Sequence, residues 1–270
     1  LSQAPAPAGP SFDSAPARVV GAVLPSGNTR IAVTVPSSGK VALFDGAGRL
    51  LQEFDQIPKP IGLGVGNQKV YVGSAAHGSV QVFNLQAQPQ GALGGGNGEF
   101  ERPTAIAVSP LDGRIYVVDA GRQEIRVFDP ATLQEVARLG DGVLTQPADV
   151  AVAANGTIYT ADLVRGVVDR FDGAGSHVGT FTAFGSRPGE TVRPTGLGFD
   201  AQGRVYVVDA FLDHVGVYDA NGGFQTTVGA FGTGPGLMRN PLDVWVNPAT
   251  GTILVTDNGD FELEVFPAIP

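Results

Sequence analysis

The sequence of 270 residues contains no cysteine, one tryptophan and three histidines. Without thiols it can form no disulfide, thiolate metal site, cysteine nucleophile or thioether link to haem. No run approaches the roughly 18 apolar residues that indicate a membrane-spanning helix. Basic residues are few as well, since 17 Lys and Arg against 26 Asp and Glu give a net charge of −9. Because binding to nucleic acid rests on cations that neutralise phosphates, nucleic acid is not expected as a partner.

Glycine and proline, in contrast, are abundant, with 39 and 20 residues. Val-rich runs separate them, and 43% of the residues are hydrophobic while 16% are charged. Such a composition supplies a sizeable core and many tight turns, and no segment shows a sustained helical period. The sequence therefore predicts an all-β fold of many short strands.

One phrase of the sequence occurs repeatedly, as GRIYVVDAGRQEIRVFDP at 113–130 and GRVYVVDAFLDHVGVYDA at 203–220. In four copies an Asp follows a Gly by six residues and precedes an aromatic residue by nine. Two weaker copies, around Phe83 and Phe44, bring the total to six. The four clear pairs are Asp119 with Phe128, Asp162 with Phe171, Asp209 with Tyr218, and Asp257 with Phe266.

Each repeat offers four strands. A proline with a short apolar run comes first, as in RPTAIAV at 102–108, and VVGAVL at 19–24 replaces it in the first repeat. The run that ends in Asp, the run that ends in an aromatic residue and a variable fourth run follow. Four strands per unit, in units 39 to 48 residues apart, indicate the blades of a propeller. The fourth strands are predicted at 134–140, 177–185 and 224–232, among others.

The sequence thus predicts one domain, residues 1–270, folded as a six-bladed β-propeller of four-stranded antiparallel blades. The last repeat lacks a fourth strand, and SFDSAPAR at 11–18 resembles EFDQIPKP at 53–60, which ends the first blade. We therefore expect the N-terminal segment 1–18 to close the ring by supplying that outer strand, around residues 5–13. A disordered leader is the alternative. The predicted blades are 19–55, 60–94, 103–140, 147–185, 194–232 and 241–270.

The repeats resemble NHL repeats. That pattern is a Gly-rich connector, a Phe, a Pro, an apolar strand, a Gly, a strand that ends in Asp and a Val-Phe-Asp strand. All of it occurs in GGGNGEFERPTAIAVSPLDGRIYVVDAGRQEIRVFD at 94–129. The likeness extends from Val19 to Phe266, clearly in repeats three to six and weakly in the first two. It implies a six-bladed propeller and leaves the function open, because this fold includes binding platforms, lyases and lactonases.

The repeated carboxylates are predicted to be architectural, because an element copied in each unit is a poor catalytic candidate. We expect them to accept backbone N–H bonds that hold a loop or a neighbouring blade. The Asp residues that follow the aromatic residues are expected to begin Asx turns, with the rings packed between blades. The architectural set is Asp119, Asp162, Asp209 and Asp257.

Charged residues near the repeat prolines are candidates for ligand binding. Four cations at or beside the position before the proline could hold an anionic group, although pairing with nearby acids is the preferred interpretation. Asp149 and Asp243 follow their prolines by two residues, where other repeats have Gly or Ala, and are candidate ligands for Ca²⁺ or Mg²⁺. Two carboxylates are too few for such a site alone, so no metal, cofactor or catalytic residue is predicted. The four cations are Lys59, Arg102, Arg193 and Arg239.

Apolar residues in loops favour a protein-binding function. Leu163, Val164, Phe211 and Leu212 lie in loops between second and third strands, as contact residues or packed under a connector. We expect a non-catalytic, rigid interaction module, monomeric on its own, that binds another protein in a multi-subunit envelope or extracellular assembly. The opening LSQAPAPAGPSF resembles a mature N-terminus, which predicts a periplasmic or extracellular location. The contact face is predicted to carry these loops and the connectors 94–102, 185–193 and 232–240.

Three alternatives stay open. A divalent-metal-dependent hydrolase or lyase would have its site at the channel mouth, around Asp149 and Asp243. A sugar-binding module would need aromatic platforms, and Trp245 is the sole tryptophan. An RNA-binding module, a function known for some NHL domains, would need a basic face.

Overall fold

A computed structural model describes residues 9–24, 26–55 and 57–270. These residues form strands joined by turns and bends. The described part of the chain contains no helix that could cross a membrane. Apart from one short parallel pair, the strands of the described residues form six antiparallel sheets, and each of these sheets is one blade with its strands in chain order.

The first three blades have four strands each. The first contains β1 (Arg18–Val23), β2 (Thr29–Val35), β3 (Lys40–Asp45) and β4 (Leu50–Phe54). The second contains β5 (Pro60–Gly66), β6 (Lys69–Ser74), β7 (Ser79–Asn84) and β8 (Pro89–Ala92). The third contains β9 (Pro103–Val108), β10 (Ile115–Asp119), β11 (Glu124–Phe128) and β12 (Glu135–Leu139).

The fourth and fifth blades also have four strands, and the sixth has three. The fourth contains β13 (Pro147–Val152), β14 (Ile158–Asp162), β15 (Val167–Phe171) and β16 (His177–Thr180). The short parallel pair β17 (Ala183–Phe184) and β18 (Glu190–Thr191) follows it. The fifth contains β19 (Pro194–Phe199), β20 (Val205–Asp209), β21 (His214–Tyr218) and β22 (Phe224–Val228), and the sixth contains β23 (Pro241–Val246), β24 (Ile253–Asp257) and β25 (Glu262–Phe266).

The first strands of the blades are the inner ones. In the order β1, β5, β9, β13, β19 and β23 each contacts the next, and β23 contacts β1. The six blades therefore form a closed ring around a channel, which confirms the predicted propeller. The loops between second and third strands and the connectors between blades lie at one end of this channel. We call that end the loop face.

The N-terminal segment closes the ring, as predicted. Ser11 forms an antiparallel bridge with Glu262 of β25. Two backbone hydrogen bonds accompany it, from the Phe12 N–H to the Phe261 oxygen at 2.8 Å and from the Leu263 N–H to the Pro10 oxygen at 3.0 Å. Residues 9–12 thus lie where the sixth blade would have its outer strand. The predicted residues 5–8 of that strand lie outside the described residues.

Two predicted fourth strands are shorter than expected. In place of 177–185, β16 ends at Thr180, and Phe184 belongs to β17, which pairs with β18 in the connector. In place of 224–232, β22 ends at Val228, and Phe231 forms a parallel bridge with Met238. The predicted strands were too long because apolar residues continue past the end of each strand into the connector. There they form a short parallel pairing of their own, which the sequence pattern does not distinguish from the preceding strand.

The seams between adjacent blades hold the core. A tyrosine three residues before the end of the second strand packs against the following blade in four seams. The other two seams have smaller side chains there, Ala32 in the first blade and Leu254 in the sixth. The four tyrosines are Tyr71, Tyr116, Tyr159 and Tyr206.

Candidate functional site

The inner strands contain three charged side chains, and all three meet in the channel. Arg18 begins β1, while Asp149 and Asp243 occupy the third positions of β13 and β23. The Arg18 Nη1 atom lies 3.4 Å from Asp149 Oδ1 and 3.7 Å from Asp243 Oδ1. All three residues are buried. One guanidinium is therefore shared by two carboxylates from blades four and six.

Backbone oxygens complete the surroundings of the guanidinium. Arg18 Nε donates to the Thr104 oxygen at 3.1 Å and Nη1 donates to the Thr195 oxygen at 3.2 Å, while Nη2 donates to the Ala148 oxygen. These carbonyls belong to the inner strands of blades three, five and four. A side chain of the first blade thus contacts four others across the channel.

Arg18 also divides the channel. It lines a cavity of 360 Å³ that opens toward the loop face. Asp149 and Asp243 line a separate cavity of 310 Å³, together with the ends of the inner strands that lie away from the loop face. The ion cluster lies between the two cavities.

The two carboxylates also fasten neighbouring blades. Asp149 Oδ2 accepts the Leu197 N–H at 2.7 Å, and Asp243 Oδ2 accepts the Val19 N–H at 3.0 Å. Burial raises the pKa of Asp149, and burial together with the charge of Asp149 raises the pKa of Asp243 to about 8. The single cation therefore compensates the burial of the two acids only in part.

The position of Asp243 also explains why residue 196 is a glycine. A Cβ atom at Gly196 would lie 2.6 Å from the Asp243 Cα atom and 2.7 Å from the Leu242 oxygen. Backbone atoms cannot yield as a flexible side chain does, so this approach of β19 to β23 requires glycine.

The two candidate metal ligands are paired with a cation instead. The guanidinium lies between Asp149 and Asp243, where a divalent ion would have to replace it. Among the described residues no group of three or more His, Cys, Asp and Glu side chains is placed to bind a metal. Carboxylates that are paired with Arg18 are poor ligands for a metal ion, and metal binding by Asp149 and Asp243 stays an alternative.

The repeated Asp residues hold the connectors. Each is buried at the end of a second strand and accepts hydrogen bonds from the N–H groups just before the inner strand of its own blade. Asp209 accepts the Val192 N–H at 2.6 Å and the Phe211 N–H at 2.9 Å, so one carboxylate holds both a connector and a loop. In the other three blades the backbone N–H of Arg102 donates to Asp119, that of Thr145 to Asp162 and that of Arg239 to Asp257.

The four cations near the prolines do not share one environment. Arg193 Nη2 donates to Asn240 Oδ1 at 2.7 Å, and Arg239 Nε donates to Asp260 Oδ1 at 2.9 Å. Lys59 and Arg102 are exposed, and Arg102 lines the channel cavity at the loop face. Two of the four are thus held by neighbouring polar side chains.

The apolar loop residues divide into exposed and half-buried ones. Val164 is 61% exposed and Phe211 is 63% exposed. Leu163 and Leu212 are half-buried, and Leu163 lines the channel cavity at the loop face. Packing under a connector therefore describes the two leucines better than Val164 and Phe211.

Sequence reasoning missed Arg18. The signal that could have revealed it is that the six inner strands contain only three charged residues, Arg18, Asp149 and Asp243. Opposite charges on strands that converge on one axis are expected to pair. Arg18 follows Pro16 by two residues, as Asp149 and Asp243 follow Pro147 and Pro241, but it lies just before the predicted first strand at 19–24.

The ring of six antiparallel blades with a channel divided by an ion cluster defines a six-bladed β-propeller. No family model matches the chain. It is 34% identical over 90 residues to the human NHL-repeat-containing protein 4, a match that covers 33% of this chain and 71% of that protein. The chain belongs to the NHL-repeat family.

Further similarities concern parts of larger proteins or the fold alone. The chain is 24% identical over 164 residues to SUPPRESSOR OF QUENCHING 1 of Arabidopsis thaliana, which is 48% of this chain and only 16% of that chloroplastic protein. Hydrazine synthase of Kuenenia stuttgartiensis superposes with a TM-score of 0.67 at 16% identity, over 96% of this chain and 97% of that one. Virginiamycin B lyase of Staphylococcus aureus gives 0.64 at 12% identity, over 94% and 85%.

Proposed function

We propose that this NHL-repeat propeller is a non-catalytic interaction module that binds another protein through its loop face. The observation that carries the proposal is a row of large apolar side chains exposed over blades four to six, here called the apolar rim. Large apolar side chains that are exposed at one end of a protein are a sign of a protein contact there. The apolar rim consists of Val164 (61% exposed), Phe184 (66%), Phe211 (63%), Phe231 (72%) and Phe261 (44%).

All five residues of the apolar rim lie at the loop face. Val164, Phe211 and Phe261 lie between the second and third strands of their blades, while Phe184 and Phe231 lie in connectors. Two short parallel pairings, β17 with β18 and Phe231 with Met238, hold those connectors. A rim fixed in this way loses little conformational entropy on binding, which favours affinity.

Two ion pairs lie beside the apolar rim. Arg165 contacts Asp169, and Arg239 contacts Asp260. The side chains of the apolar rim themselves are uncharged. The partner is therefore expected to present an apolar patch with a polar border.

The channel supports a function without chemistry at its centre. Asp149 and Asp243 are occupied by Arg18 and by the Leu197 and Val19 N–H groups. The alternative is a metal-dependent hydrolase or lyase, and the similarity of fold to virginiamycin B lyase is the observation that keeps it in view. Calorimetric titration with Ca²⁺ and with Mg²⁺ separates the two, because stoichiometric binding that Asp149→Asn and Asp243→Asn abolish would favour the enzyme.

The setting that we propose is a multi-subunit assembly of the cell envelope or the extracellular space. The absence of cysteine is compatible with such surroundings. Fractionation of the source cells, with detection by a specific antibody, tests the location. Recovery in the cytoplasmic fraction alone would contradict it.

The proposed contact is tested by quantitative co-purification from the source with three tagged proteins. These are the wild type, the triple variant Val164→Ser, Phe211→Ser and Phe231→Ser, and the control Leu111→Ser. Leu111 is 64% exposed in the turn between β9 and β10, away from the loop face. We expect a stoichiometric partner with the wild type and the control and at least about a tenfold loss with the triple variant, since such hot spots cost about 2 kcal/mol each. Equal recovery with all three proteins would refute the proposed face.

A further inference from the structure

A cavity of 560 Å³ lies at the seam between the sixth and first blades, away from the ion cluster. We call it the seam cavity. Its polar border contains Asn247, Thr250, Thr252 and the turn 46–48. Its apolar walls are Ile31, Phe44, Trp245, Leu254, Leu263 and Val265.

A departure from the repeat creates room in this seam. Four other seams have a buried tyrosine at the position that Leu254 occupies here. A leucine at this position is smaller and lacks the ring and hydroxyl that fill the equivalent space. The described part of the outer strand is also reduced to a bridge at Ser11, so Gly9 and Pro10 border the seam cavity where other blades have a full strand.

A second departure supplies an aromatic wall. Trp245 occupies an inner-strand position that is Gly or Ala in four of the other blades and Val20 in the first. The indole lies against Gly21 of the first blade, where an added Cβ would be 2.5 Å from its Cζ2 atom. One seam thus has a large ring at its inner end and a reduced side chain on the second strand. The first change forms a flat wall and the second opens the space beside it.

We propose that the seam cavity binds a neutral, largely aromatic small molecule. Its volume lies within the roughly 300–1,000 Å³ of small-molecule sites, which are mostly apolar with a few polar groups. The described lining residues include no charged side chain, so an ionic ligand would lose hydration without gaining a partner. The hydroxyl groups of Thr250 and Thr252 and the amide of Asn247 can orient one polar end of the ligand. This inference does not depend on the proposed protein contact.

The sole tryptophan makes occupancy measurable. Trp245 lines the seam cavity, so all tryptophan emission of the protein originates there. The probe is N-phenyl-1-naphthylamine, a neutral aromatic amine that accepts energy from tryptophan. We expect saturable quenching of the Trp245 emission with a stoichiometry of one probe per chain.

Filling the seam cavity tests the location. Leu254→Tyr restores the residue of the other seams, and we expect it to weaken the probe at least about tenfold because the ring takes the ligand's place. Leu111→Tyr is the matched control, with the same substitution at an exposed turn and unchanged affinity expected. Should Leu254→Tyr fold poorly, Ala47→Phe narrows the mouth from an exposed turn residue, and we expect the same weakening.

Three results of the probe experiments would overturn the inference, and a fourth result concerns the apolar rim. They are quenching that does not saturate, an affinity that neither Leu254→Tyr nor Ala47→Phe changes, and equally tight binding of the anionic 8-anilino-1-naphthalenesulfonate. Loss of probe binding in the triple variant of the apolar rim would also overturn it, since the probe would then lie at the loop face. The first two results leave the proposed protein contact intact, because that contact does not involve the seam cavity.

Discussion

At the scale of single residues, Arg18 decides how the centre of the ring holds together. Its guanidinium contacts Asp149 and Asp243 and three backbone oxygens in a buried position. A buried charge is costly unless it is paired, and removal of one member leaves the others without compensation. Loss of the cation alone is therefore expected to lower the stability of the fold strongly, whereas loss of all three charges together is expected to cost much less.

We predict that Arg18→Met lowers the free energy of unfolding by about 3–5 kcal/mol, the usual cost of breaking a buried ion pair. Urea denaturation followed by circular dichroism measures it. The combined variant Arg18→Met, Asp149→Asn and Asp243→Asn is expected to regain a large part of that loss. If Arg18→Met is as stable as the wild type, the guanidinium is not the compensating charge.

The sequence predicted the residues of the repeat better than it predicted this cluster. The buried Asp at the end of each second strand accepts hydrogen bonds of the kind the repeat suggests, because fixed spacing fixes the backbone around it. The meeting of Arg18 with Asp149 and Asp243 depends on the ring geometry, which joins residues more than 100 positions apart. Spacing after a proline places the three residues at equivalent inner-strand positions, and only closure of the ring brings those positions together.

At the scale of elements, the connector before β23 rests on an acid of β25. Glu264 is buried, and its Oε2 atom accepts the Gly236 N–H at 3.1 Å. Burial, with the nearby charges of Glu262 and Asp257, raises the pKa of Glu264 to about 7. Because the folded protein binds this proton more tightly than the unfolded chain does, the stability that it contributes is present at low pH. That stability is lost as the pH rises through about 7.

We predict that the melting temperature falls between pH 5 and pH 8, with Glu264 contributing about 1–3 kcal/mol of the change. Glu264→Gln keeps an acceptor for Gly236 without the charge and should flatten this slope. Asp243, whose pKa is about 8, acts in the same direction and accounts for part of the slope that remains. Differential scanning calorimetry across this range provides the measurement. The exposed substitution Glu101→Gln is the control, and an equal slope in Glu264→Gln would contradict the assignment.

At the scale of the whole molecule, the two ends of the chain meet in the sixth blade. Residues 9–12 pair with β25, and the ring of Phe12 packs edge-on against Phe44 of the first blade at 6.1 Å between centroids. This contact joins the last blade to the first and completes the ring.

Deletion of residues 1–14 is therefore expected to lower the free energy of unfolding by about 3 kcal/mol, from two hydrogen bonds and an aromatic pair of about 1 kcal/mol each. A chain that begins at Gly9 is the matched control, because it retains all three contacts. Thermal unfolding of the two proteins at one concentration provides the comparison. Equal melting temperatures would show that the ring closes without the N-terminal segment.

The count of six blades was readable from the sequence because each blade repeats one pattern of Gly, Asp and aromatic residue. The seam cavity could not be predicted from the sequence, although each of the two departures that form it is a single residue. Leu254 and Trp245 are ordinary core residues in a strand pattern. Only the ring shows that they border the same seam and that the described outer strand there is a single bridge.

The reach of Arg18 also bears on how such a chain can evolve. Repeat proteins commonly gain or lose units by duplication, and the blades here are copies of one repeat pattern. The guanidinium, however, begins in the first blade and contacts carbonyls of the third, fourth and fifth and a carboxylate of the sixth. In a ring of five or seven blades the channel would have another diameter and these groups would no longer surround one point. The contacts of Arg18 thus depend on a ring of six blades, and we expect a related chain with another number of blades to lack this arginine.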